Sequence, residues 1–398
     1  MSPHLIDWLM HAIGLSFASN PDLYELVRST IVALLIFAFI MTAVLFLILG
    51  LRKYLGFLQS RLGPNRLGGS LGLLQTAADA LKLLTKEDIV PYMADRVIFD
   101  LAPLMVFVPA FLVYVVIPWT PTGSPADLDV GVIYVAAVTS IGVIGIVMAG
   151  WASNNKFSQL AAFRSAGQMI SYEVPMVLAL VGPVIAAGTF SLQGIVRAQA
   201  HSVWYIFLVP ISAVVFLVSG LAETNLTPFD LVEAESELVA GFTTEYSGMK
   251  FALFFLAEFA SNFTLGAIAT TLFLGGWSFP GHWLPDSWIW FILKSFLTVL
   301  LLFHIRGTLP RIRVDQLMDV GWKFLIPAAL LQMVIIGAYV TLEVNWVVIV
   351  FVNILLVILA IGLGKKGGVL AGADPEAHIR EVRAYRRERQ QSRRRALL

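Results

Sequence analysis

Between Thr227 and Tyr246 the chain reads TPFDLVEAESELVAGFTTEY, a connection with five acids, Asp230, Glu233, Glu235, Glu237 and Glu245, between almost wholly apolar runs. Carboxylates crowded in a low dielectric raise one another's pKa and titrate as a coupled set, an arrangement suited to passing protons. Local chemistry accounts for part of it. Pro228 suits a helix start, and Asp230 and Glu233 suit its first turn, where the helix dipole favours anions. Capping does not account for the others, or for Glu223 just upstream. Two more carboxylates sit inside apolar stretches: Glu173 in QMISYEVPMVLALVG and Glu258 in MKFALFFLAEFASNFTLG. An ionised side chain there costs about 2.5–3.5 kcal/mol on insertion scales, so it faces a polar interior, and such residues mark ion or proton paths. The plainer alternative is a protonated carboxyl that only hydrogen-bonds. A metal set is not suggested, because the six histidines are scattered. With no cysteine in the chain, disulfides, Cys-ligated iron–sulfur clusters and thiol chemistry are excluded.

Elements that could hold these acids follow from hydropathy. Of the 398 residues, 58% are apolar and 13% charged, and the mean hydropathy is +0.82. That charge content is low for a soluble domain. Nine apolar runs are long enough to cross a ~30 Å hydrocarbon layer, near 27–50, 98–118, 131–151, 170–190, 203–222, 249–275, 287–305, 323–342 and 345–364. Backbone in lipid must be helix or closed barrel, and runs of this length predict helices. The fold class is therefore all-α, a polytopic transmembrane bundle of about nine spans. Residues 1–364 form a single membrane domain and 365–398 a basic tail. Residues 1–26 contain Asp7, Asp22 and Glu25 and lack a basic start, unlike a cleavable signal peptide.

Orientation follows from the cations. Apart from Arg28, Arg197 and Lys294, every lysine and arginine falls in alternate connections or in the tail. The positive-inside rule then puts the N-terminus outside and the tail in the cytoplasm. The acidic connection faces the cytoplasm too. On that side GSLGLLQTAADALKLLTKED places Gln75, Asp79, Lys82 and Lys86 on one helical stripe, with Leu71, Leu74, Ala78, Leu81 and Leu84 elsewhere. It is too short and polar to span, and reads as an amphipathic helix on the membrane interface or against another subunit. The tail, HIREVRAYRRERQQSRRR, suits anionic headgroups at about 1 kcal/mol per near-surface cation, an acidic neighbour, or plain solvation. Nucleic acid is not an expected partner. Lys294, inside the seventh run, suits a pair with a membrane carboxylate or snorkelling to an edge, and no role is assigned to it.

Several long blocks, GPNRLGGSLGLLQTAADALKLLTKED, FRSAGQMISYE, PFDLVEAESELVAGFTTEYSGMKFALFFLAEF, LFLGGW and LPRIRVDQLMDVGWK, resemble the quinone-site membrane subunit of respiratory complex I. The resemblance covers about residues 27–342. It implies a subunit of a proton-pumping NADH:quinone oxidoreductase in a bacterial cytoplasmic (inner) membrane. Such a subunit carries no redox centre and binds no cofactor of its own. Flavin and iron–sulfur clusters belong to partner subunits of the peripheral arm, and adjacent membrane-arm subunits and lipids are the other partners. The resemblance also implies that the chain helps form a quinone chamber, from which an acidic relay leads into the membrane arm. That relay maps onto Asp79, Glu173, Glu223, Asp230, Glu233, Glu235 and Glu258. Arg61 matches a family arginine near the quinone entrance, and Arg52 and Arg164 are further candidates along the quinone path.

Two positions depart from the family pattern. Leu51 stands where a glutamate usually precedes the Arg52-Lys53 pair, and Leu226 where an arginine usually precedes the PFD element. Arg164 and Lys250 are candidate substitutes. Alternative readings are the equivalent subunit of a ferredoxin-linked or hydrogenase-type complex, a secondary ion transporter, and a passive anchor. No inverted repeat supports the transporter, and an anchor leaves Glu258 without purpose.

Overall fold

A computed structural model describes residues 21–69, 71–121, 126–231, 239–279, 285–342, 346–353 and 355. The chain divides into two compact units, Met1–Leu342 and Glu343–Leu398. In the first, the described residues form helices joined by turns: α1 Pro21–Leu58, α2 Gln75–Thr85, α3 Arg96–Leu112, α4 Gly131–Ala152, α5 Lys156–Ala187 and α6 Leu192–Ala200. They continue with α7 Tyr205–Leu208, α8 Pro210–Glu223, α9 Gly248–Phe273, α10 Trp288–Thr308, α11 Val314–Asp319 and α12 Ile326–Leu342. A π-helical turn, Val320–Leu325, joins the last two. Of the second unit, the described part is helical over 346–353. The rest of the expected ninth span and the basic tail lie outside the described residues.

Among the described residues, seven segments are long and apolar enough to cross a membrane, and Pro210–Glu223 is a shorter apolar helix. The bundle is all-helical, as expected. The differences are local. The fifth run, 203–222, is broken: α7 ends at Leu208, and Pro210 opens α8 at its first position, where a missing N–H costs nothing. The fourth run begins earlier than its hydropathy suggests. Asn155 caps α5, accepting from the Phe157 N–H at 3.0 Å, so the polar turn from Lys156 to Arg164 is helical as well. α1, at 38 residues, extends to about 57 Å, well beyond the hydrocarbon layer.

α3 packs on α4, α4 on α5, and α5 on both α8 and α12, while α9 packs on α3 and α10. Close approach depends on small residues, as is usual between helices in lipid. A Cβ on Gly150 would lie 2.2 Å from the Ala162 Cβ and 2.8 Å from the Ser158 carbonyl oxygen. Aromatic rings fill the centre, and the buried Tyr114 hydroxyl donates to the Ala260 carbonyl at 2.9 Å.

At one end of α9, Lys250 ties three elements together. Its Nζ lies 2.8 Å from Asp88 and 2.6 Å from Asp100, and 5.1 Å from the centre of the Phe99 ring. Phe99 stacks on Tyr246 with centroids 4.0 Å apart. Burial pushes the Tyr246 phenol's pKa up, with the Asp100 charge adding to it, so the ring stays neutral. Lys250→Met strands two half-exposed carboxylates. Because such pairs are screened by solvent, we expect a loss of only about 1 kcal/mol, read as a small drop in thermal midpoint in detergent.

Candidate functional site

The relay candidates are drawn together by α5, α8 and α9. A cavity of about 130 Å³ lies among α3, α4, α5, α8 and α9, and Glu223 and Glu258 both line it. Its other walls are mainly apolar, including Val106, Met176, Phe216 and Leu265. Glu223 is the last residue of α8. Glu258 lies within α9, and one of its carboxylate oxygens is 3.8 Å from the Arg306 guanidinium, both side chains being about a fifth exposed. Glu173 is on α5, accepts a hydrogen bond from the Ser140 hydroxyl of α4, and lies within electrostatic reach of Glu223. Three carboxylates from three helices thus lie in one region: Glu223 shares the cavity with Glu258 and is within electrostatic reach of Glu173.

The end of α8 is fixed by Gln168. Its amide nitrogen donates to the Ala222 carbonyl at 2.7 Å and the Phe229 carbonyl at 2.8 Å. The first of these bonds adds a side-chain donor to a helix-terminal carbonyl that the Asn225 N–H also reaches, at 3.4 Å. The second ties the start of the acidic connection to α5. Pro228 sits in a turn here rather than opening a helix, because the Phe229 N–H bonds back to the Leu226 carbonyl. Asp230 follows, half-buried. Glu233, Glu235 and Glu237 lie outside the described residues. Glu245, at the far end of the connection, accepts from the Asn155 side chain at 2.6 Å.

Asp79 is elsewhere. Its partners Arg52 and Gln75 line an open cleft of about 510 Å³ together with Leu55, Arg61, Leu62, Pro64 and Arg66. Arg52 pairs with Asp79 at 2.5 Å, joining α1 to α2, and Gln75 donates to the same carboxylate at 3.3 Å. The Arg61 Nε donates to Gln59 at 2.7 Å. The polar stripe expected on α2 is present. Its Leu81 and Leu84, with the neighbouring Leu71 and Leu74, remain exposed, an apolar face open to lipid or a partner. α2 starts at Gln75, later than expected, because 71–74 forms a turn. Arg164 on α5 lines neither the cavity nor the cleft.

The profile of the NADH dehydrogenase family matches residues 31–337. The chain belongs to that family. Its relatives include proteins named as a subunit of NADH-quinone oxidoreductase from Bacillus thuringiensis (strain Al Hakam), Bacillus cereus (strain AH187) and Bacillus anthracis (strain A0248). Each is 53% identical over 300 residues, covering 75% of this chain and 89% of the relative.

Within the NADH dehydrogenase family pattern, the two departures now have surroundings. Leu51 is buried and Leu226 is wholly so, so both positions serve packing here. Of the two candidate substitutes, Lys250 is engaged by Asp88 and Asp100. Sequence reasoning passed over Ser140, Gln168 and Arg306. Only Gln168 left a trace, as the polar residue inside FRSAGQMISYE. The other two are partners distant in the chain, and no spacing announces them.

Proposed function

We propose that this chain is the membrane subunit of a proton-pumping NADH:quinone oxidoreductase, in which quinone reduction changes the protonation of an acidic relay. The observation that carries this reading is the shared cavity lined by Glu223 and Glu258, with Glu173 beside it. Quinone reaches the chain laterally, past α1 and the exposed apolar face of α2, through the cleft that holds Arg52 and Arg61. The apolar side of such a cleft suits an isoprenoid tail, and its cations suit a polar headgroup. The headgroup is reduced by a cluster in the peripheral arm. The new charge shifts the carboxylates' proton affinities, and Asp230, Glu233 and Glu235 carry the change between chamber and cavity. Flavin and iron–sulfur clusters belong to partner subunits. The N-terminus lies outside and the tail in the cytoplasm.

Tagged chain purified in mild detergent from its native membrane should co-elute with an iron–sulfur peripheral arm and show inhibitor-sensitive NADH:quinone activity. Such an arm without NADH activity would favour a ferredoxin-linked or hydrogenase relative, and a chain eluting alone would favour a transporter. Within the assembled complex, Arg61→Met should raise the quinone KM about tenfold, the worth of ~1.4 kcal/mol, with ferricyanide reduction by NADH unchanged. An unaltered KM would remove Arg61 from the quinone path.

A further inference from the structure

Lys294 is a buried cation that the relay does not use. It lies on α10, and its residue is 7% exposed. Its Nζ donates to the carbonyls of Leu274, Gly276 and Ser278 at 2.8, 3.1 and 2.7 Å. The same ammonium lies 4.9 Å from the centre of the Trp204 ring and 4.4 Å from that of Phe279. All three hydrogens of an ammonium thus have acceptors, and two π faces cover it. Asp286, before α10, is the carboxylate whose charge reaches it. The three carbonyls follow the C-terminal end of α9, where the dipole favours a cation.

Polar side chains are spaced along α9 between the acidic cavity and this cage. Glu258, Asn262, Gly266 and Thr270 recur every four residues along α9, and that spacing puts them on one face. The face meets α10. Glu258 is near Arg306, a Cβ on Gly266 would lie 2.8 Å from the Ser295 carbonyl oxygen, and the Ser295 hydroxyl reaches the Thr270 hydroxyl at 3.3 Å. The next residue along α10 is Lys294 itself. Asn262 is fully buried, and neither its amide nitrogen nor its oxygen has a partner among the described residues. Buried polar atoms of that kind are sites for ordered water. From Glu258 to Leu274 the helix rises about 24 Å, so the cage stands at the opposite end of the bundle from the acids.

We infer that this stripe is a hydrated dead end and that the Lys294 ammonium closes it, barring protons from crossing the bundle past the acidic cavity. A fixed positive charge between aromatic walls repels protons on a water file electrostatically, as charged and dipolar barriers do in water-selective pores. The inference rests on the relay reading for the protons themselves, but its test needs no turnover.

The assembled complex is placed in liposomes without donor or quinone, and a potassium diffusion potential drives protons against an internal pH dye. Lys294→Gln keeps amide donors for the carbonyls and loses the charge. It should raise passive proton conductance several-fold, while Lys294→Arg stays at the wild-type level. Adding Asn262→Leu should return the Lys294→Gln variant to wild type. Wild-type conductance in Lys294→Gln overturns the barrier, and a leak that survives Asn262→Leu overturns the route. Should Lys294→Gln not assemble, Trp204→Ala keeps the ammonium and opens one wall, and its conductance should rise to a lesser degree. No rise there also overturns the barrier. Failure of the relay is read separately, as redox-driven pumping that survives replacement of the carboxylates.

Discussion

Glu173→Gln should remove most redox-driven proton translocation from a complex that still assembles. The substitution is nearly isosteric, and the amide oxygen can accept from the Ser140 hydroxyl as the carboxylate does. Packing of α4 on α5 therefore survives. What is lost is the carboxylate charge that reaches Glu223, which on the relay reading is a proton site. Inhibitor-sensitive quinone reduction should fall about tenfold, equivalent to ~1.4 kcal/mol of barrier. Ferricyanide reduction by NADH, which bypasses the quinone, should hold. Glu235→Gln should act in the same direction. Intact assembly on native gels with unchanged pumping in both variants would count against the relay.

The second large effect is structural. Gly150→Val should abolish accumulation of the assembled complex. A Cβ at Gly150 alone would stand 2.2 Å from the Ala162 Cβ and 2.8 Å from the Ser158 carbonyl oxygen. Neither neighbour is the free end of a flexible chain, so α4 and the start of α5 must separate. Overpacking of this kind costs about 1–3 kcal/mol where side chains can yield, and here backbone must move. Even Gly150→Ala should lower the thermal midpoint, whereas Gly142→Ala on the same helix meets nothing within 4 Å and serves as the control. Equal stability of the Gly142 and Gly150 alanine variants would refute the account.

The contrast between those two glycines shows what a sequence discloses. Both lie in one apolar run, and hydropathy treats them alike. Hydropathy located the spans because burial in lipid acts on every residue of a helix, so the runs that gave α3, α4, α9 and α10 stood out plainly. It placed Glu173 and Glu258 inside the layer for the same reason. It did not reveal that Asp79 belongs with Arg52 rather than with the other acids, since periodicity reports a residue's face and not what that face meets. Lys294 was visible as an anomaly without an explanation. Its ligands are carbonyls, which every residue carries and no motif marks. The Arg61 and Asp79 assignments came from the family resemblance, and the structure adds that Arg52 lines a cleft with Arg61 and pairs with Asp79.

α8 has one further consequence. Its 14 residues rise only about 21 Å, less than the ~30 Å layer. A helix that short cannot cross the layer alone, and Glu223 is one of its two ends. If, on the relay reading, that end is the one held inside the layer, a proton delivered there has crossed part of the transmembrane voltage, at about 2.3 kcal/mol per 100 mV for the full drop. On the relay reading, an energised membrane therefore pushes back at this one helix terminus. The longer the potential has built up, the harder each further protonation becomes, and the brake on respiration is written in the shortness of a helix.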